Sequence, residues 1–182
     1  MEKGGRLDRE FFIRDVLEVA PDLPGKNLVF CSNGSIAKLM INEVEAYRGE
    51  EDLACHAAKG RTKRTEMLYH EGGNIYVYFI YGMYWMLNFV TGSEGIPQAV
   101  LIRGAGIFNG PGKLARAIGI DRSFYGEDLT SSDRIWVEET GIRPVIQTSP
   151  RIGVDYSGET WKNKPWRYFI DRRLYEPPDL GK

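Results

Sequence analysis

Glu43, Glu45 and Tyr47 stand at alternate positions in the run Asn42-Glu43-Val44-Glu45-Ala46-Tyr47. In a strand, residues two apart share a face. Two carboxyl groups and a phenol would then point the same way, while Val44 and Ala46 look toward a core. Such a face suits general acid/base work. The same three residues would also suit a polar face turned to solvent. A second constellation lies at residues 75–90, IYVYFIYGMYWMLNFV. Alternation sets Tyr76, Tyr78 and Ile80 on one face and Val77, Phe79 and Tyr81 on the other. Buried phenols need hydrogen-bond partners, so this run carries more hydroxyls than an apolar sheet core needs. Rings that stack on a flat base, or wedge into a base step, would account for them; an aromatic sheet core is the alternative.

Other residues gather around these two. Asn88 sits among apolar neighbours, as a core amide or as a selector at a pocket floor. Arg103 closes the apolar run Ala99-Val100-Leu101-Ile102, where it would hold a carboxylate or a water, or mark the strand leaving the core. Gly110-Pro111-Gly112-Lys113 precedes a helix start and offers a weak phosphate seat, weakened further because proline lacks an N–H donor. Cys55-His56 invites a metal or nucleophile reading, but no CxxC or HExxH accompanies it, and no metal or cofactor is expected.

The elements that must position these groups follow from pattern. Strands read at NLVFC and IAKLMINEVEAY, with the hairpin signal Asn33-Gly34 between them. The two aromatic strands meet at Gly82, and QAVLIRG, RIWVEE and WRYFI read as further strands. RLDREFFIRDVLEVA reads as one N-terminal helix with Phe11, Phe12, Val16 and Val19 inward, ended by PDLPGK. One or two short helices are expected between 51 and 70, and Pro111 opens another over GKLARAIG. DRRLYEPPDLGK reads as a tail. Strands outnumber helices and short turns join neighbours. The expected fold is therefore α+β: a single domain over 1–182, built on a curved antiparallel β-sheet or partly open barrel with flanking helices and a protruding β-hairpin.

Composition bounds the rest. The chain has 182 residues, 42% hydrophobic and 27% charged, enough for a real core. It has no apolar run of transmembrane length and no signal-like N-terminus, so a cytoplasmic protein is expected. The net charge of −1 argues weakly against nucleic acid, but it hides local contrast. KGRTKR, residues 59–64, holds Lys59, Arg61, Lys63 and Arg64 with no acid, and residues 151–173 hold six cations against three acids. Phosphate binding needs a basic face rather than a basic protein. KGRTKR could equally be a solvated loop.

In their order along the chain these motifs resemble the alkyladenine (3-methyladenine) DNA glycosylase family of the mammalian type. The likeness rests most on Glu43-Val44-Glu45-Ala46-Tyr47 with His56, and on Tyr76 to Tyr84 ending at Asn88. Asp52, Gly60 to Arg64, Arg103, Gly110 to Leu114 and Arg151-Ile152-Gly153-Val154 also fit. The resemblance implies a monofunctional glycosylase that flips alkylated purines (3-methyladenine, 7-methylguanine, with hypoxanthine and ethenoadenine as further candidates) out of duplex DNA and hydrolyses the glycosidic bond. Under it Glu45 is the base that activates a water, and Arg103 helps hold both. Tyr47, His56 and Tyr78 line the pocket, Asn88 disfavours a guanine amino group, and Tyr81 is the wedge. Lys59, Arg61, Lys63, Arg64 and Lys113 face the DNA backbone. It implies a monomer with no membrane partner, nucleoid-associated if the source is bacterial or archaeal. Two departures, Thr65 in place of Asn and Gly104-Ala105-Gly106 in place of an acid and a proline, fall beside the expected DNA surface. The alternative is a noncatalytic binder of damaged or single-stranded nucleic acid that stacks bases on its aromatic strands.

Overall fold

The computed structural model describes residues 5–32 and 34–171. In chain order the elements are helices α1 (Arg9–Phe12) and α2 (Val16–Asp22), then strands β1 (Asn27–Ser32) and β2 (Ser35–Arg48). Two 3-10 turns follow, His56–Lys59 and Glu66–Tyr69, then strands β3 (Ile75–Ile80), β4 (Tyr84–Val90), β5 (Gln98–Ala105) and β6 (Phe108–Asn109). Helix α3 (Pro111–Ala117), strands β7 (Ile135–Glu138) and β8 (Ile146–Ser149), helix α4 (Gly158–Lys162) and strand β9 (Arg167–Ile170) complete the chain. The nine strands form one antiparallel sheet of order β3-β4-β5-β2-β1-β7, with β6 on β5 and the β8–β9 pair on β2. The α+β expectation and the antiparallel sheet hold. No described helix is long and apolar enough to cross a membrane.

Alternation sorts the sheet into two faces. Val44 and Ala46 of β2, Ile75 and Val77 of β3, Leu87 and Phe89 of β4, and Val100 and Ile102 of β5 are buried on one side. There they meet Val16, Val19 and Ala20 of α2 and Leu114 and Ala115 of α3. The intervening residues, Tyr47, Tyr76, Val90 and Ala99, turn to the other side and pack with Cys55, Ala57, Met67, Leu68 and Tyr69 of the 3-10 segment. Period-two reading thus puts the chemistry-bearing residues on the face without helices.

Four local expectations need correction or bounds. The single N-terminal helix is two, because Asp8 and Asp15 are N-caps, accepting from Phe11 N and Leu17 N and starting a new helix each time. The second helix ends at Asp22, within PDLPGK as expected, with Pro21 in its last turn. The β1–β2 hairpin forms as expected, Ser32 opposite Ser35, although Asn33 itself lies outside the described residues, as does the tail from 172 on. The short strands β6 and β8 were not expected; at two and four residues they carry too little alternation to be read.

Candidate active site

Side-by-side strands bring the carboxyl groups and the aromatic run together. Tyr47 lies opposite Ala99 and Glu45 opposite Leu101, while Asn88 of β4 lies against that same Leu101. The register then slips: Val44 faces Ile102, Glu43 faces Gly104, and Arg103 has no partner opposite it. Such a bulge re-aims a side chain, and here the freed residue is the one whose guanidinium reaches both carboxylates. Arg103 donates from Nε to Glu43 Oε1 at 2.9 Å, and its Nη1 is 3.4 Å from Glu45 Oε1. Glu43 also accepts from Arg167 at 3.2 Å.

Glu45 is fully buried, yet all its partners are donors or cations. The Tyr47 hydroxyl donates to Oε2 at 2.8 Å, and the Ile152 backbone N–H donates to Oε1 at 2.8 Å. Burial and the neighbouring Glu45 push the Tyr47 phenol well up, so it stays a donor. Ile152 is brought in by the residue before it. Arg151 and Asp52, both buried, make paired hydrogen bonds of 2.6 and 2.9 Å, and the Arg151 guanidinium stacks over Tyr47 and Trp166. Asp52 also accepts from the backbone N–H groups of Arg48 and Ala54. This buried pair ties the end of β2 to the loop that supplies the Ile152 N–H.

Beside Glu45 lies a pocket lined by Tyr47, His56, Tyr76, Tyr78, Asn88 and Tyr156, with Ala54, Cys55, Leu68 and Ala99 filling its apolar parts. His56 meets Tyr78 edge to face with ring centroids 4.4 Å apart, and its Nδ1 is 2.9 Å from the Tyr76 hydroxyl. Burial raises the Tyr76 phenol to about 12 and moves the Tyr78 phenol up further. The Asn88 amide N–H groups are bonded to the carbonyls of Tyr76 and Met86, which fixes the amide at the pocket wall. Burial, then the charges of Arg64 and Lys59, lower His56 to about 4, so a neutral ring faces the pocket near neutrality.

That shift predicts a pH dependence. The unfolded chain takes up the His56 proton near 6.5, the folded chain only near 4. The stabilisation is complete above pH 6.5 and is lost as the pH falls toward 4. It is worth on the order of 3 to 4 kcal/mol across the window at about 1.4 kcal/mol per unit. Denaturant melts between pH 4.5 and 7 should show this slope in the wild type and a shallower one in His56→Gln. Equal slopes in the two proteins would contradict a neutral buried His56.

Tyr81 stands at the tip of the β3–β4 hairpin and is 82% exposed. Met83 N donates to Ile80 O across the turn, and Tyr81 and Gly82 both have positive φ, 55° and 66°. Gly82 suits that region; Tyr81 is strained in it and is the one described non-glycine residue found there. Lys59, Lys63 and Arg64 are exposed, and Arg64 overhangs the Tyr78 ring at the pocket rim, 5.7 Å from its centroid. Arg61 is exposed but pairs with Glu66 at 2.6 Å. Lys113 is exposed on α3, which packs against β4 and β5.

Three expectations change here. Within the basic stretch from 151, Arg151 is buried on Asp52, Arg167 lies on Glu43 and Ser149, and Lys162 pairs with Glu159, so these three described cations are engaged within the protein. Thr65 is buried and bonds the Gly60 carbonyl at 2.9 Å, closing its own loop. Gly104 and Ala105 are buried as well, and a Cβ at Gly104 would come 2.5 Å from Asn42 Oδ1. Thr65, Gly104 and Ala105 are thus themselves packed inward. The anchoring pair Asp52–Arg151, the Ile152 N–H and the pocket residue Tyr156 carry no local signal in the sequence beyond the family motif, because their partners lie about a hundred residues away.

Aromatic walls, one of which, Tyr47, holds a buried carboxylate, suit the removal of a flat base, and comparison with known proteins places the chain in that class: it is a DNA glycosylase. Residues 10–109 and 104–173 match the family described as Methylpurine-DNA glycosylase (MPG), and the chain belongs to that family. It is 43% identical over 171 residues to a protein of Rickettsia felis, covering 90% of this chain and 92% of that one. It is 42% identical to one of Desulfitobacterium hafniense (93% and 97% covered) and 43% identical to one of Methanocella arvoryzae (90% and 91% covered). All three relatives bear the name "Putative 3-methyladenine DNA glycosylase".

Proposed function

We propose that this enzyme excises alkylated purines, 3-methyladenine first among them, from duplex DNA by direct hydrolysis. The observation that carries the reading is the buried Glu45 carboxylate, held by Tyr47, Ile152 N–H and Arg103 at the edge of the aromatic pocket. A base stacked in a duplex cannot be reached, so the nucleotide must leave the stack and enter the pocket. A purine alkylated at N3 or N7 is cationic and leaves readily, and electron-rich rings such as Tyr47 and Tyr78 attract it. Glu45 then takes the proton of one water as it attacks the sugar carbon. Arg103, tethered to Glu43, keeps Glu45 and that water in place. Asn88, pinned by its two backbone bonds, limits the room for an exocyclic amino group. Among the described residues no side-chain amine lines the pocket, which favours hydrolysis over a covalent imine. A duplex with one alkylated purine should become an intact abasic strand that breaks only in hot alkali. Trapping of a covalent complex by borohydride would contradict direct hydrolysis.

In this reading the exposed Tyr81 fills the gap that flipping leaves. Tyr81→Ala should leave the melting temperature close to wild type, since the ring buries little. Excision from paired duplex should slow by on the order of tenfold or more, and less from unpaired substrate, because unstacking costs a few kcal/mol. Melts and single-turnover rates on both substrates check this. An equal loss on paired and unpaired DNA would show that Tyr81 is no wedge.

A further inference from the structure

Resting on that reading, we infer that Tyr156 is the gate of the base pocket and limits the size of lesion that enters. Tyr156 is on the 3-10 turn Asp155–Ser157, and its ring lines the pocket although the residue is 71% exposed. One part of the ring therefore bounds the pocket while another faces solvent. Its hydroxyl donates to the Ala54 carbonyl at 3.2 Å, and Ala54 is itself part of the pocket lining. The side chain spans from the loop that serves Glu45 to the segment that carries His56.

The backbone beneath it is fixed, while the side chain reaches outward and is largely exposed. Val154 and Ser157 on either side are buried, and Ser157 Oγ donates to the Val154 carbonyl at 2.6 Å. Arg151 and Ile152 are tied to Asp52 and Glu45. Against these, the hydrogen bond from the Tyr156 hydroxyl to the Ala54 carbonyl joins two neutral groups, a weak tie in water. A ring that both lines the pocket and faces solvent stands at the pocket mouth. Rotation about its own side-chain bonds would open the mouth without disturbing the Glu45 network. With a base inside, the returned ring would form the outer wall, and a base with an additional fused ring would meet it.

The test compares single-turnover excision from duplexes carrying a methylated purine or a tricyclic etheno purine, for wild type, Tyr156→Phe and Tyr156→Ala. Tyr156→Ala removes the wall and should raise the etheno-to-methyl rate ratio by at least about tenfold, the scale of one steric contact in an apolar pocket. Tyr156→Phe keeps the wall, so its ratio should match wild type while both substrates enter faster. Tyr156→Leu repeats the wall test with less loss of cover over Ala54, should the alanine variant fold poorly. An unchanged or lowered ratio in Tyr156→Ala and Tyr156→Leu would overturn the gate. Failure of wild type to excise either lesion would instead overturn the functional reading.

Discussion

Glu45→Gln should fold, bind DNA and lose roughly 10²–10⁴-fold in excision rate, the usual worth of a positioned base. The amide is nearly isosteric and can still accept from Ile152 N–H, the bond that the carboxylate accepts at 2.8 Å. Arg103 is not left unpaired, because Glu43 still accepts from its Nε at 2.9 Å. The fold therefore has little reason to fail, and the loss should fall on the chemical step. Single-turnover rates with enzyme in excess separate that step from binding, which a gel-shift or anisotropy titration reads directly. Near-wild-type excision by Glu45→Gln would remove it as the base. An equal loss in Glu43→Gln would mean that the two carboxylates act as a unit through Arg103, which lies against both.

Asp52→Ala should be the most damaging substitution for stability, at about 3–5 kcal/mol, the cost of removing one partner from a buried ion pair. Both side chains of the pair are fully buried, so Arg151 would be left as a charge with only the carbonyls of Ala46 and Trp161 as acceptors. At about 2–4 °C per kcal/mol for a chain of this size, the melting temperature should drop by about 6 °C or more. Activity should fall too, since Arg151 positions the residue that donates to Glu45. Asp52→Ala combined with Arg151→Met removes the stranded charge, and the double variant should be more stable than the sum of the single losses implies. Thermal melts of the three variants decide it; a drop of under about 1 kcal/mol in Asp52→Ala would show that the pair is well compensated by its surroundings.

Much of this was legible because the period of two is local. It placed Glu43, Glu45 and Tyr47 on one face and Val44 and Ala46 in the core, and the structure keeps both assignments. It also separated Tyr76 and Tyr78, at the pocket, from Val77, in the core. Phenol crowding in residues 75–90 is explained by partners that the sequence does not pair by proximity, among them His56 for Tyr76. What was not legible depends on long-range pairing. Cationic residues of the 151–173 stretch looked like a phosphate surface, yet Arg151 is neutralised by an acid 99 residues earlier. Arg61 looked free within KGRTKR but pairs with Glu66, just outside that window. The bulge at Arg103 arises from a register slip between two strands that neither strand announces alone. Tyr156, on a three-residue turn, has no period at all.

The central claim is that the pocket beside Glu45 hydrolyses the glycosidic bond of an alkylated purine rather than merely holding it. Chromatography of the bases liberated from methylated duplex DNA tests it most directly, with wild type and Glu45→Gln run side by side. Free 3-methyladenine should accumulate with wild type and be nearly absent with Glu45→Gln, while both proteins bind the DNA. Stoichiometric binding of the methylated duplex by wild type with no free base released would contradict the account and leave a noncatalytic damage binder.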